Sequence, residues 1–253
     1  MKSKAATTSD VEVNLSEFDG VRYLHLGTEW VQGSMRVSAP YDIDLEYVQR
    51  MMAWLLFVPA DSVATRHAMQ LGLGAGAITK FSYKKLNMVC TAIEINPRVA
   101  DVCRAWLRLP PDGERMRVVL ADAGAEIQKE EWFGTVDALA VDLYDEDAAA
   151  PMLDSAEFYA DCRRLLTEDG SMTVNLFGRS SSYERSLSRI VDAFGVRAVW
   201  TFKPTREGNT VVLAQRTSSR PKRDLLAERA DIIESRWKLP ARKWLKVFKA
   251  LEK

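Results

Sequence analysis

Two carboxylates three residues apart, Asp142 and Asp145, follow the apolar run 136–141, where a buried strand gives way to a loop. Acids so placed attract a cation, and a positioned carboxylate can accept a proton from it. An alkyl ammonium, with a pKa of about 10, must lose that proton before its nitrogen can attack anything. A second chemical signal lies upstream. Gly72, Gly74 and Gly76 alternate at the end of the apolar stretch 68–73, in the order strand, glycine turn, helix. Glycine lets a ligand approach the backbone there, and the free N–H groups of a helix start suit a polar ligand. Glu94 closes the next apolar run 22 positions after Gly72. At that spacing a carboxylate can accept both hydroxyl hydrogens of a ribose. Asp122 closes the run after that and is placed to receive the exocyclic amine of an adenine. Each acid alone is as well explained by a turn or a helix cap; the ordered series points to a nucleoside-type ligand.

The elements that must position these residues follow from periodicity. Residues 1 to about 17 read as a polar lead-in. Residues 21–26 and 29–37 form two strand-like runs around Gly27-Thr28, a hairpin, and 44–57 has the apolar spacing of a helix ended by Pro59. The chain then alternates: strands 67–73, 88–93, 116–120, 136–141 and 171–177 lead to helices 77–86, 97–107, 123–130, 155–166 and 182–194. Five such units predict a parallel sheet covered by helices on both faces. The runs 196–202 and 210–215 predict a terminal antiparallel hairpin. Together these give an α/β, class I methyltransferase-like (Rossmann-like) sheet. The expected organisation is an N-terminal hairpin and helix over 1–60, a nucleoside-binding domain over 61–215, and a basic amphipathic helical tail over 216–253. Two tail helices split at Pro240, with Trp244, Phe248 and Leu251 on the second, and the sheet is expected to close at 210–215 without the tail.

Composition narrows the class. The 35 Lys and Arg residues balance 35 Asp and Glu, so the chain lacks the basic excess of a nucleic-acid binder, although its tail carries 12 basic against 5 acidic residues. No apolar run reaches the roughly 20 residues of a membrane span, and the first ten residues lack a secretory signal's apolar core. A cytoplasmic protein is expected. Cys90, Cys103 and Cys162 have no CxxC partner, and only His25 and His67 are present, so neither a disulfide framework nor a metal site is expected.

These residues resemble the spermidine synthases, the polyamine aminopropyltransferases. The family's glycine turn GGGDG is similar to Gly72-Leu73-Gly74-Ala75-Gly76, its EID to Glu94-Ile95-Asn96, its third-strand acid to Asp122, and its DxxDP loop to Asp142-Leu143-Tyr144-Asp145-Glu146. Val31-Gln32-Gly33-Ser34 resembles its N-terminal hairpin, in which a glutamine contacts the nucleoside. The likeness covers roughly 20–215. It implies decarboxylated S-adenosylmethionine as donor, or S-adenosylmethionine itself in a methyltransferase of the same fold. Gln32, Gly72, Gly74, Gly76, Glu94 and Asp122 would bind the donor. Asp142 would take the amine proton, Tyr144 and Asp145 would bind a small amine acceptor, and no metal takes part; a homodimer is compatible with the pattern. The chain departs from the family in three places. Ala75 replaces the acid of the glycine turn, Glu146 replaces the proline, and Val48-Gln49-Arg50 replaces the YHE signature, putting a cation where an acid is expected. These departures predict an altered acceptor site, and they keep methyltransferase and non-catalytic nucleoside-binding readings open.

Overall fold

The computed structural model of the protein describes residues 11–143, 153–177 and 180–252. Its framework is an eight-stranded sheet made of β4 (His67–Leu71), β5 (Val89–Glu94), β6 (Met116–Leu120), β7 (Val136–Val141), β8 (Leu166–Phe177), β9 (Val199–Phe202), β10 (Asn209–Gln215) and β11 (Phe248–Ala250). The spatial order is β6-β5-β4-β7-β8-β10-β9-β11. The pairs from β6 across to β8 are parallel and those beyond are antiparallel. Parallel strands covered on both faces read as continuous apolar runs, and β7 is buried along most of its length for that reason. The covering helices include α2 (Ala77–Lys84), α3 (Pro97–Trp106), α4 (Ala123–Glu126), α5 (Ala156–Leu165) and α6 (Ser180–Phe194). Pro97 occupies the first turn of α3, where its missing N–H costs nothing, and the Asn96 side chain caps that helix.

The N-terminal part departs from its expected shape. Val13–Phe18 is a strand, β1, paired along its whole length with β2 (Val21–Leu26), and β2 pairs with β3 (Gly33–Arg36). Val13 and Leu15 alternate with Asn14 and Ser16, so a period-2 signal was present within a polar stretch. Residues 29–32 leave the strand, although the Gln32 N–H still donates to Leu24 O at 2.8 Å. The expected helix 44–57 is α only over Glu46–Met51 (α1). It tightens to a 3₁₀ turn over Met52–Phe57, whose first five residues are all buried. The predicted helix 123–130 shortens to α4 before a 3₁₀ turn at Glu130–Trp132, β8 starts at Leu166 rather than 171, and 196–198 is 3₁₀ rather than strand.

The tail forms α7 (Arg223–Trp237), α8 (Ala241–Trp244) and β11. Phe248 is therefore a strand residue, not a helical one, and the sheet does not close at 210–215. Phe248 pairs with Phe202 in the ladder, and their rings stack with centroids 4.4 Å apart; Trp200 lies 5.3 Å away and Phe57 6.2 Å. Such aromatic pairs add roughly 0.5–1.5 kcal/mol each beyond the area they bury. Ala230, Ile233 and Trp244 share one apolar core with Leu24, Leu56 and Phe202. Several basic residues of the tail bind the body: Arg229 donates to Leu56 O, Arg220 to Arg197 O and Val196 O, and Arg236 pairs with Asp61.

Candidate active site

The order of strands reverses between β4 and β7, and ligands of open α/β sheets bind at the carboxyl ends flanking such a switch. The two strands approach so closely there that only glycine fits. Gly72 has φ +81°, and a methyl group on it would collide with the carbonyl oxygen of Asp142. Gly74 has φ +50° and lies under Gln32 O, 3.1 Å from where a Cβ would stand. Gly76, with φ +67°, turns the chain into α2 one step behind the crevice. Above this turn opens a cavity of about 650 Å³, lined by Gln32, Gly72, Gly74, Glu94, Asp122 and Asp142 among others. Six of the sequence-selected residues thus come together on one cavity, and Gly76 supports it from behind. Tyr144 and Asp145 lie outside the described residues.

Glu94 is buried, and its carboxylate is fixed by backbone: Oε2 accepts from Leu73 N–H and Oε1 from Asn96 N–H, each at 2.9 Å. Burial pushes its carboxyl above the ordinary range, opposed by those N–H groups. The Leu73 bond locks the glycine turn to the end of β5. Asp122 caps α4, its Oδ1 accepting from Ala125 N–H at 2.9 Å, and lines the cavity as well. The capping reading and the site reading are both met by this residue.

Asp142 is held at both oxygens. Asn175 donates to Oδ1 at 2.9 Å and Tyr47 to Oδ2 at 3.2 Å, and Asn209 in turn donates to the Asn175 amide oxygen at 3.1 Å. Burial raises the Asp142 carboxyl to about 6, against the lowering effect of the Asn175 and Tyr47 hydrogen bonds. That narrows the gap to an alkyl ammonium while leaving the carboxylate ionised near neutrality. Tyr47, Asn175 and Asn209 were not selected from the sequence. Asn175 carried the clearest signal, a buried amide in the otherwise apolar end of β8.

The opposite wall comes from the N-terminal sheet, the start of α1 and the β9–β10 turn. Glu29, Asp44, Glu46 and Glu207 join Glu94, Asp122 and Asp142 there, and no Lys, Arg or His lines the cavity among the described residues. Arg50, expected to repel a cationic acceptor, does not line the cavity. It is buried, donates to Glu46 Oε1 and to Lys203 O at 2.6 Å each, and stands over the Phe202 ring. Its charge holds Glu46 instead. The two histidines have local partners, His67 with Thr91 and Thr135 and His25 with Ser16 and Trp30. No cluster of three or more His, Cys, Asp or Glu placed to hold a metal ion occurs among the described residues.

No family model matches the chain. It is similar to the polyamine aminopropyltransferase of Chromobacterium violaceum, with 34% identity over 230 residues, covering 90% of this chain and 85% of that protein. Among solved structures, a probable spermidine synthase from Corynebacterium glutamicum superposes with TM-score 0.70 at 16% identity, over 88% of this chain and 82% of that one. Human methyltransferase-like protein 13, in complex with SAH, superposes with TM-score 0.67 at 19% identity, over 77% of this chain and 93% of that one. The two superpositions share one fold and do not choose between chemistries; the sequence relative does.

Proposed function

The chain belongs to the polyamine aminopropyltransferase family of transferases, and on that premise we propose that it moves an aminopropyl group from decarboxylated S-adenosylmethionine to a small amine. The observation that carries this reading is the charge of the cavity: seven carboxylates line it, with no cationic side chain among the described residues. A methyl donor retains a carboxylate, which would face these like charges with no cationic side chain among the described residues to pair it. A decarboxylated donor and an amine acceptor are both cationic, and both gain from such walls.

In this reading Glu94 receives the ribose hydroxyls, Asp122 the adenine amine, and the backbone at Gly72 and Gly74 admits the sulfur end of the donor. Asp142 accepts the proton of the incoming ammonium. The freed nitrogen pair attacks the methylene carbon beside the sulfonium, the carbon–sulfur bond breaks toward sulfur, and methylthioadenosine leaves. Tyr47 and Asn175 aim the carboxylate, so the protein contributes mainly positioning and one proton transfer. Tyr144 and Asp145 are assigned to the acceptor by the family pattern.

A methylthioadenosine-release assay tests the proposal, with decarboxylated or intact S-adenosylmethionine as donor and putrescine, cadaverine or spermidine as acceptor. Release is expected with the decarboxylated donor alone. Silence with all three amines, alongside tight binding of the intact donor, would favour a methyltransferase.

A further inference from the structure

Resting on that reading of the donor, we propose that Asp44 grips the ammonium end of the aminopropyl donor, a task the glycine turn itself cannot perform. Ala75 is 3% exposed and is absent from the cavity wall. It is sealed by β3: a Cβ on Gly33 would stand 2.7 Å from the Ala75 Cβ and 2.8 Å from its nitrogen. The N-terminal sheet therefore rests directly on the turn, and no longer side chain at 75 could reach the ligand without lifting it.

The next residue on β3, a serine, ties a carboxylate to that strand. Ser34, 3% exposed, donates its hydroxyl to Asp44 Oδ2 at 2.9 Å, and Asp44 lines the same cavity as Gly72 and Gly74. The other oxygen faces Arg36 Nε at 3.3 Å, a long contact to a side chain 44% exposed, so Asp44 keeps charge available for a second cation. Four of the other six acids have attachments elsewhere, and Glu29 and Glu207 stand on the β2–β3 and β9–β10 loops. Glu94 is fixed by backbone N–H groups, Asp122 caps α4, Asp142 is shared by Tyr47 and Asn175, and Glu46 is paired with Arg50. Of the cavity's acids, Asp44 is the one tethered through β3 to the glycine turn, where the donor's sulfur end must lie. Asp44 is thus a donor-selecting residue: it distinguishes an adenosyl thioether with a cationic arm from one without.

Methylthioadenosine lacks that arm and serves as the internal control. Calorimetry on the full chain should show Asp44→Asn weakening decarboxylated S-adenosylmethionine roughly ten- to hundredfold, as for lost hydrogen bonds to a charged group, with methylthioadenosine changed less than about twofold. In the release assay KM for the donor should rise while kcat at saturation changes little. Ser34→Ala, which keeps the charge but frees its aim, should give a smaller loss confined to the cationic donor, and it decides the matter if Asp44→Asn does not fold. A wild type that favours the cationic donor over methylthioadenosine, with that preference intact in the variants, overturns the role of Asp44 and leaves the proposed function standing. Equal loss of both ligands also overturns it. A wild type with no preference for the decarboxylated donor removes the proposed function and this inference together.

Discussion

Glu94 and Glu46 are carboxylates on the same cavity, yet they are held in opposite ways. Glu94 is buried, and two backbone N–H groups fix it on the rim where the parallel strands end. Glu46 has a side chain 53% exposed and leans on Arg50 one turn away. The same contrast divides the whole site. The rim of Gly72, Glu94 and Asp122 is set by backbone geometry, whereas the facing wall of Asp44, Glu46, Tyr47, Glu207 and Asn209 depends on side chains from separate elements packing over it. A backbone-set half suits a ligand that stays the same, and a side-chain-set half can change its partner by single substitutions without disturbing the sheet. The rim keeps its glycines and acids although the family's YHE signature is lost at 48–50, positions that do not line the cavity.

The sharpest way to break this comparison is at Asp142, where the two halves meet. Asp142→Asn should keep the fold and most nucleoside affinity but lower turnover roughly 10²–10⁴-fold in the release assay, the usual share of a positioned base. Full activity in that variant would remove Asp142 from the proton path. On the rim, Glu94→Ala should weaken any adenosyl ligand by about 1.5–3 kcal/mol in calorimetry. Unchanged affinity in a folded variant would show that the rim is scaffold only.

Two smaller effects probe the coupling between wall and rim. Because burial holds Asp142 up to about 6, kcat/KM should fall as pH drops through that value and the base is protonated. The stability effect has the opposite sense. A carboxyl whose folded pKa is raised favours the folded state fully below its ordinary value of 3.8, and that contribution is lost as pH rises through about 6. Asp142→Asn lacks this dependence, so its urea midpoint should gain on the wild type between about pH 4 and pH 7. The smallest change is expected from Tyr47→Phe. Removing one of the two donors to Asp142 should cost about 1 kcal/mol of turnover and move the acid limb to higher pH. An unmoved limb would mean that Tyr47 does not tune the base.

What could be read from the sequence follows the same division. Strands β4, β5, β6 and β7 announced themselves as apolar runs, and parallel pairing forces their carboxyl ends onto one edge, so Gly72, Glu94, Asp122 and Asp142 could be placed together without knowing any contact. Asp44 and Glu46 gave no such signal. Acids before and inside the first turn of a helix are ordinary, and it takes the packing of separate elements, with Asp44 tied to Ser34 and Glu46 to Arg50, to bring them to the cavity. Arg50 was misplaced for a related reason: helical spacing identifies a face, but the face turned toward Lys203 O rather than the cavity. The strand β11 spans three residues, too few for any period to show. The tail's basic excess gave equally little sign of its partners, since Arg229 and Arg220 bind carbonyl groups that no local pattern reveals.

The late position of β11 in the chain bears on how the enzyme is made. Its ladder partner β9 is synthesised some forty-five residues earlier, and until Phe248 arrives β9 offers an unpaired edge beside the exposed rings of Trp200 and Phe202. Open edges next to apolar surface are the usual sites of mispairing with other chains. The strands that end on the cavity, β4 to β7, lie within residues 67–141 and are made well before β11 completes the sheet. Products that stop short of residue 248 should therefore aggregate more readily than the full chain, a difference that sedimentation of the two side by side would show.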